Sequence, residues 1–465
     1  MEIFDSVSPL DYRYYGRNKE LFEQLKPFVS EGSYIEYLLK VEGTLVRTMA
    51  NKGICSVSIA EEVERACIQV TPAEVYKEEQ RIQHNIRALV NCIKNHISKK
   101  AQPYVHLFAT SSDIMDTASA LRFKELTHKV IIPRLLELGR LLIKMAREGI
   151  DAVQMGRTHG QHAVPITFGF ALAEYISRLG GRIEVIRAAA DNLRGQLSGA
   201  VGAYNAISLV SKELNVDPED FEREFLGLLG LKPASHSTQI CEPEYVTDLA
   251  YAVTSCFSVL ANLADDMRHL QRSEIGEIGE QPGKDQVGSS TMPHKVNPKD
   301  FENVKSLWKA FMPRMDTVFM DQISEHQRDL TNSASSRFLM ELMAGFVYAA
   351  HRLTLALAKI RINEPEMSRN VDQSKDLCVA EALYTLLAIQ GHPDAHEYVR
   401  QFVRRCQENG VRPNKQMWEE KELQPYFDKL TTQQKRVLVH PEKYTGIAQQ
   451  KTETVCSFWE KRLYI

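Results

Sequence analysis

The sequence predicts an all-α chain built around a central bundle of long helices, and three observations carry that prediction. Glycine and proline are scarce, 24 and 18 among 465 residues, which favours long uninterrupted helices. Apolar residues recur at helical spacing through the middle of the chain. The last of these runs marks a helix of about thirty residues, roughly 45 Å long at 1.5 Å per residue.

Up to about Val105 the chain mixes short helices with Pro27, Pro72 and Pro103, and residues 1–109 are expected to form a small N-terminal helical domain. Leu135, Leu138, Leu142 and Met145 then repeat on one face, with Pro133 near the start and Gly149 as the stop. Tyr175, Leu179, Ile183, Ile186 and Leu193 do the same, ending toward Gly195 and Gly199. Val246, Ala250, Val253, Phe257, Leu260, Ala264, Met267 and Leu270 form the longest stripe, and Pro365 marks the start of a C-terminal helical domain. The boundaries are thus 110–364 for the long-helix bundle and 365–465 for the last domain. Helices of this length cannot bury their apolar faces in a small globule. A repeat near 3.5 lets helices of different chains pack side by side, so the bundle is expected to associate with copies of itself.

Composition excludes several functions. A net charge of -3, from 57 basic and 60 acidic residues, supplies no basic field for nucleic acid. No apolar run is expected to span a bilayer; the nearest candidate, Leu342 to Ile360, is broken by His351 and Arg352. The first residues lack a basic and apolar leader, which makes the cytoplasm the expected location. Eight cysteines are scattered without a Cys-x-x-Cys pair, the pattern of reduced thiols and not of a disulfide frame or zinc site. His159 and His162 lie three apart, but with no third ligand nearby no metal is expected.

The densest chemistry lies in Gly288-Ser289-Ser290-Thr291-Met292-Pro293-His294-Lys295-Val296-Asn297-Pro298. A glycine-rich approach with Gly276, Gly279 and Gly283 precedes it, and a connection this long between helices is expected to be a lid over a site, running from about Gly276 to Lys295. A serine hydroxyl is a poor base in water. Beside Lys295 and backbone N–H groups, with solvent shut out, its alkoxide is stabilised enough to take a proton from carbon next to a carboxylate. Walker spacing is absent, which sets aside a phosphate loop of that type.

That segment resembles the signature of the fumarase/aspartase superfamily of lyases. Thr110-Ser111-Ser112-Asp113-Ile114-Met115-Asp116-Thr117-Ala118 and Gly156-Arg157-Thr158-His159-Gly160-Gln161-His162 are similar to its other two conserved segments, in the same order. Gly160 after His159, the form of the first segment, and Pro293-His294-Lys295 look like the adenylosuccinate lyase family within it. Ser8-Pro9-Leu10-Asp11-Tyr12-Arg13-Tyr14 and Gln327-Arg328-Asp329-Leu330-Thr331-Asn332-Ser333 agree, so the resemblance covers residues from about 8 to 340.

The resemblance implies a three-domain, cofactor-free lyase that forms a homotetramer around its long helices, with active sites shared between subunits. It implies release of fumarate from adenylosuccinate, giving AMP, and from succinylaminoimidazole carboxamide ribotide. His159 matches the general acid, Glu302 the carboxylate that orients it, and Ser289 the general base, with Ser290 the alternative. Lys295 and Asn297 match contacts to substrate carboxylate and loop, while Thr110 and Ser111 match hydroxyl donors to the succinyl carboxylates, a role compatible with helix capping. Gln239 matches a substrate amide contact, and His84 and His106 line the pocket. Gln83, Met292 and Asn303 complete the substrate contacts. Arg13, Arg328 and Arg337, with Tyr14 and Ser333, match the phosphate-binding set. One departure stands out: His84-Asn85 replaces the family's usual His-Asp, so no charge sits beside His84. The rivals are another fumarate-releasing lyase, such as argininosuccinate lyase, and a catalytically inert helical scaffold of the crystallin kind.

Overall fold

The computed structural model describes residues 6–14, 16–281, 291–292 and 294–463. It is 68% helical and 5% strand, the all-α class expected. The chain divides into two compact units, one made of Met1–Leu135, Gly181–Ser258 and Ser306–His351, the other of Leu136–Gly180, Val259–Lys305 and Arg352–Ile465.

In the first unit the organising element is the helix Glu31–Asn51. Ser30 caps it by accepting the Ser33 N–H at 3.1 Å. Its buried face, including Ile35, Leu38, Leu45, Val46 and Met49, packs against the helices Val57–Gln69 and Ser111–Leu126. Leu38 and Leu45 are at most 2% exposed, so truncating either to alanine should cost about 2–5 kcal/mol. Phe257 and Phe346 meet edge to face at 5.4 Å in the same unit.

The second unit is centred on the helix Glu364–Ile389, which has Pro365 in its first turn. One face carries Val379, Leu383 and Leu387 into a core with Val399, Phe402, Met417, Phe427 and Leu438. Arg147 clamps the last helix, Ala448–Leu463, through Glu453 at 2.9 Å and Glu460 at 2.8 Å.

The expected long helices are present. The stripe ending at Met145 lies on Ile132–Glu148, the next on Phe168–Asp191, and the longest on Glu244–Leu270, 27 residues. Among the described residues, three short ladders add strand where only helix and loop were expected. Gly156 to Gly160 is not a plain loop: Val153–Thr158 and Gln161–Thr167 form an antiparallel hairpin. Of the lid expected from about Gly276 to Lys295, residues 282–290 and 293 lie outside the described residues, and its first part carries a strand. Ile278–Glu280 pairs antiparallel with Ile360–Ile362, and Gln281 N–H donates to the Lys359 carbonyl at 3.2 Å. Burial of Ile278, 3% exposed, and the hydrogen bonds and ion pair that hold the buried Glu277 carboxylate favour that conformation. A third correction concerns membranes. The helix Glu244–Leu270 is long and apolar enough to cross one, whereas the sequence pointed only to the interrupted run at Leu342. Its apolar window is 67% buried inside the protein, with Leu249, Val253, Phe257 and Leu263 in the core.

Candidate active site

The His159 turn is built by a two-residue hairpin tip. Thr158 faces Gln161 across the ladder, and the residues between them, His159 and Gly160, have φ of 54° and 74°. Positive φ at both central positions is the type I′ pattern, whose twist matches that of the strands it joins. His159 therefore projects, exposed, from a rigid end. At Gly156 the hairpin itself leaves no room for a side chain. The register shifts there, and a Cβ would lie 2.5 Å from the Val164 carbonyl oxygen.

Beneath the tip lies a buried carboxylate that sequence reasoning missed. Glu277 accepts from Gln154 Nε2 at 2.6 Å, Arg157 Nη2 at 2.7 Å, Arg157 Nη1 at 3.2 Å and Asn370 Nδ2 at 2.8 Å. This ties the hairpin to the helix Glu364–Ile389 and to the chain that leads into residues 282–290. His162 completes the docking, with Nδ1 2.7 Å from Ser374 Oγ. Burial, then the Arg157 charge, holds the His162 pKa below its ordinary value. Its ring serves the scaffold.

In the first unit several expected residues converge on the N-terminus of the helix Ser111–Leu126. Thr110 is the N-cap, and its N–H donates to Asp113 Oδ2 at 2.8 Å. Asp113 also accepts from Ser198 N–H at 3.1 Å and Gly199 N–H at 3.2 Å. Ser198 Oγ lies 2.8 Å from Ser237 Oγ, at the entry to the Gln239 segment. The Gln239 carbonyl accepts from Gln196 Nε2 at 2.7 Å, and its N–H donates to the Gln327 carbonyl at 3.3 Å. That bond brings Arg328 alongside, where its charge reaches Asp116. Asn85 joins the group by donating from Nδ2 to Met115 Sδ at 3.4 Å. His84 caps the following helix, Asn85–Asn95, accepting the Arg87 N–H at Nδ1, 3.3 Å away. In the neutral ring the proton then sits on Nε2. Gln83 ends the preceding helix in the left-handed region, φ 59°.

Electrostatics mark the same place. Burial pushes the Asp113 carboxyl up to about 6, against three backbone N–H bonds that lower it. Burial likewise raises Asp116 to about 6, opposed by the Cys241 N–H and the Arg328 charge. His106, at φ 66°, holds Glu42 Oε1 2.7 Å from Nδ1. A helix N-terminus with serine and threonine donors beside its capping box, and a nearby arginine, is a cradle for an anion.

Ser289 and Ser290 lie outside the described residues. Lys295 and Met292 are exposed, and Lys295 N–H donates to the Met292 carbonyl at 3.0 Å. Asn297 precedes the helix Lys299–Phe311, which carries Glu302, exposed, and Asn303, whose Oδ1 is buried. Glu280, not foreseen, caps that helix by accepting the N–H groups of Asp300 and Phe301. Burial and the Asp300 charge push it up to about 7, offset in part by those bonds and by Lys299. Tyr14 packs edge to face on Tyr348 at 5.0 Å, while Arg13, Ser333 and Arg337 are exposed.

Comparison with known proteins places this geometry in a family. A lyase family model matches residues 12–310, and an adenylosuccinate lyase C-terminal model matches residues 324–444. The chain is 34% identical to an adenylosuccinate lyase of Archaeoglobus fulgidus, over 97% of this chain and 98% of that one. It is 34% identical to an adenylosuccinate lyase of Pyrococcus abyssi, over 98% of each. A solved fumarate lyase from Mesorhizobium sp. BNC1 shares the fold, with a TM-score of 0.80, 23% identity, and coverage of 94% of this chain and 97% of that one. By those matches and by its helical architecture, the chain belongs to the adenylosuccinate lyase family of the fumarase/aspartase superfamily and is a carbon–nitrogen lyase.

Proposed function

We propose that this enzyme eliminates fumarate from adenylosuccinate, leaving AMP, and performs the same cleavage on succinylaminoimidazole carboxamide ribotide. The observation that carries this is the anion cradle at the head of the helix Ser111–Leu126, joined by the Gln239 segment and by Arg328. A succinyl group brings two carboxylates, and a nucleotide adds a phosphate. Helix N–H groups, hydroxyls and guanidinium forks suit those anions.

In the elimination, Ser289 takes a proton from the carbon next to a carboxylate. The electron pair spreads onto that carboxylate, where Lys295 and the cradle donors stabilise it. The C–N bond then breaks, and His159 delivers its proton to the leaving nitrogen, so fumarate and AMP depart with charges balanced. His159, Lys295 and Glu302 are all exposed in a single chain. That supports sites completed by segments of neighbouring subunits in a homotetramer, as does the length of the central helices.

Incubation with adenylosuccinate, and separately with argininosuccinate, tests the substrate. Fumarate should appear with the first. Release from argininosuccinate alone would overturn the assignment.

A further inference from the structure

We propose that Glu42 is a positioning residue for the anion-binding half of the site: from the buried face of the helix Glu31–Asn51 it grips Nδ1–H of His106, so that the charged ring offers Nε2–H to an anionic group of the substrate. This rests on the proposed function only in taking the His106 segment as pocket lining.

Glu42 is 0% exposed, and it occupies a stripe otherwise filled by Leu38, Leu45 and Met49. A carboxylate there is costly, and an apolar residue would serve packing at least as well. Nor does the site satisfy the carboxylate for its own sake. Oε1 is 2.7 Å from His106 Nδ1, while Oε2 is buried without a hydrogen-bond partner. The imidazole side chain is 22% exposed, so the bond fixes one nitrogen and leaves the other as the remaining donor. The chain is bent to achieve this. His106 and Phe108 both sit at positive φ, 66° and 70°, just before the Thr110 cap.

The charged groups that reach His106 come from three helices: Glu42, Asp113 on Ser111–Leu126, and Arg87 on Asn85–Asn95. Burial alone lowers the ring's pKa. The Glu42 hydrogen bond and charge, with that of Asp113, outweigh burial and Arg87 and leave it raised. The pair thus favours the charged form of the ring, four residues before the cradle.

Glu42→Gln tests this, because it preserves shape and an acceptor for Nδ1–H but removes the charge. In ligand-free ring-labelled histidine NMR, assigned with His106→Gln, the His106 midpoint should fall by about one pH unit or more. With adenylosuccinate, KM should rise roughly tenfold at a pH between the parent and variant His106 midpoints, with a smaller change in kcat, and the KM defect should close as pH falls below the variant midpoint. Such acid rescue distinguishes lost charge from lost packing. In the His106→Gln background, Glu42→Gln should add no further KM defect. An unchanged midpoint, a pH-independent KM defect or an additive double variant overturns the proposal. If adenylosuccinate is not turned over, the proposed function falls by itself. Competition binding of fumarate and inorganic phosphate then decides on Glu42: an acid-rescued loss of affinity supports it, and unchanged affinity overturns it.

Discussion

Replacing Glu277 by alanine should release the His159 hairpin from the helix it rests on. The carboxylate accepts from Gln154, Arg157 and Asn370 at 2.6 to 2.8 Å, with both of its oxygens used. It is wholly buried, and the Arg157 side chain is 17% exposed. Removing one member of such a pair strands the other charge, at about 3–5 kcal/mol. Local opening of the hairpin should then become roughly a hundred- to several thousandfold more populated. A proton donor displaced by even 1 Å loses much of its rate, so kcat should drop at least roughly tenfold. Hydrogen exchange over residues 153–167, read beside steady-state kinetics, measures both effects. The decisive comparison is Arg157→Met combined with Glu277→Leu, which removes both charges and fills the space. That double variant should regain most of the stability lost by Glu277→Ala. If its losses equal the sum of the single variants, or if Glu277→Ala exchanges like the parent, the buried pair does not hold the hairpin.

Ser289→Ala and His159→Ala should each lower turnover by roughly 100-fold or more while substrate still binds; near-normal kcat in a folded variant removes that residue from its role. Mixed and reassembled in equal amounts, those two inactive variants should rebuild both groups in roughly a quarter of the sites, measured as recovered fumarate release; no recovery in oligomers proven mixed by tags would mean sites confined to one chain. Asp116→Asn should stabilise the protein at neutral pH and not in acid. The folded carboxyl titrates near about 6, above its ordinary value of 3.8, so its contribution is full below the unfolded pKa and is lost as pH rises through about 6. The gain, on the order of 1–3 kcal/mol above pH 6 and near zero at pH 4 by denaturant titration, should be absent at both if burial does not control this group.

The helical architecture was legible because spacing alone reveals a long buried face: the stripe ending at Leu270 gave its helix to within two residues at the start. The hairpin was not, since Val153–Thr158 and Gln161–Thr167 lack clean alternation and are stabilised by docking on a distant helix. The pair His159-Gly160 was the available signal, a two-residue turn able to take positive φ. Motif residues of the cradle, from Thr110 to Arg328, were identifiable by type and order. Their supporting carboxylates were harder to see. Glu277 and Glu280 drew no notice in a glycine-rich stretch, and the strand there leaves the first buried and the second half-buried. Glu42 did leave a trace: it stands between Leu38 and Leu45 at core spacing, where a charge calls for a partner.

Glu277 also has a consequence for inheritance. It joins, within one chain, the hairpin that carries His159 and the root of the segment that carries Ser289. If those two segments serve different sites, as proposed, each defective copy of the protein spoils two of them. In a cell expressing normal and Glu277-altered copies equally, only roughly a quarter of sites would hold both segments intact. A single altered allele would then depress total output below the half expected from simple loss of one copy, and its effect would act in trans through otherwise normal subunits.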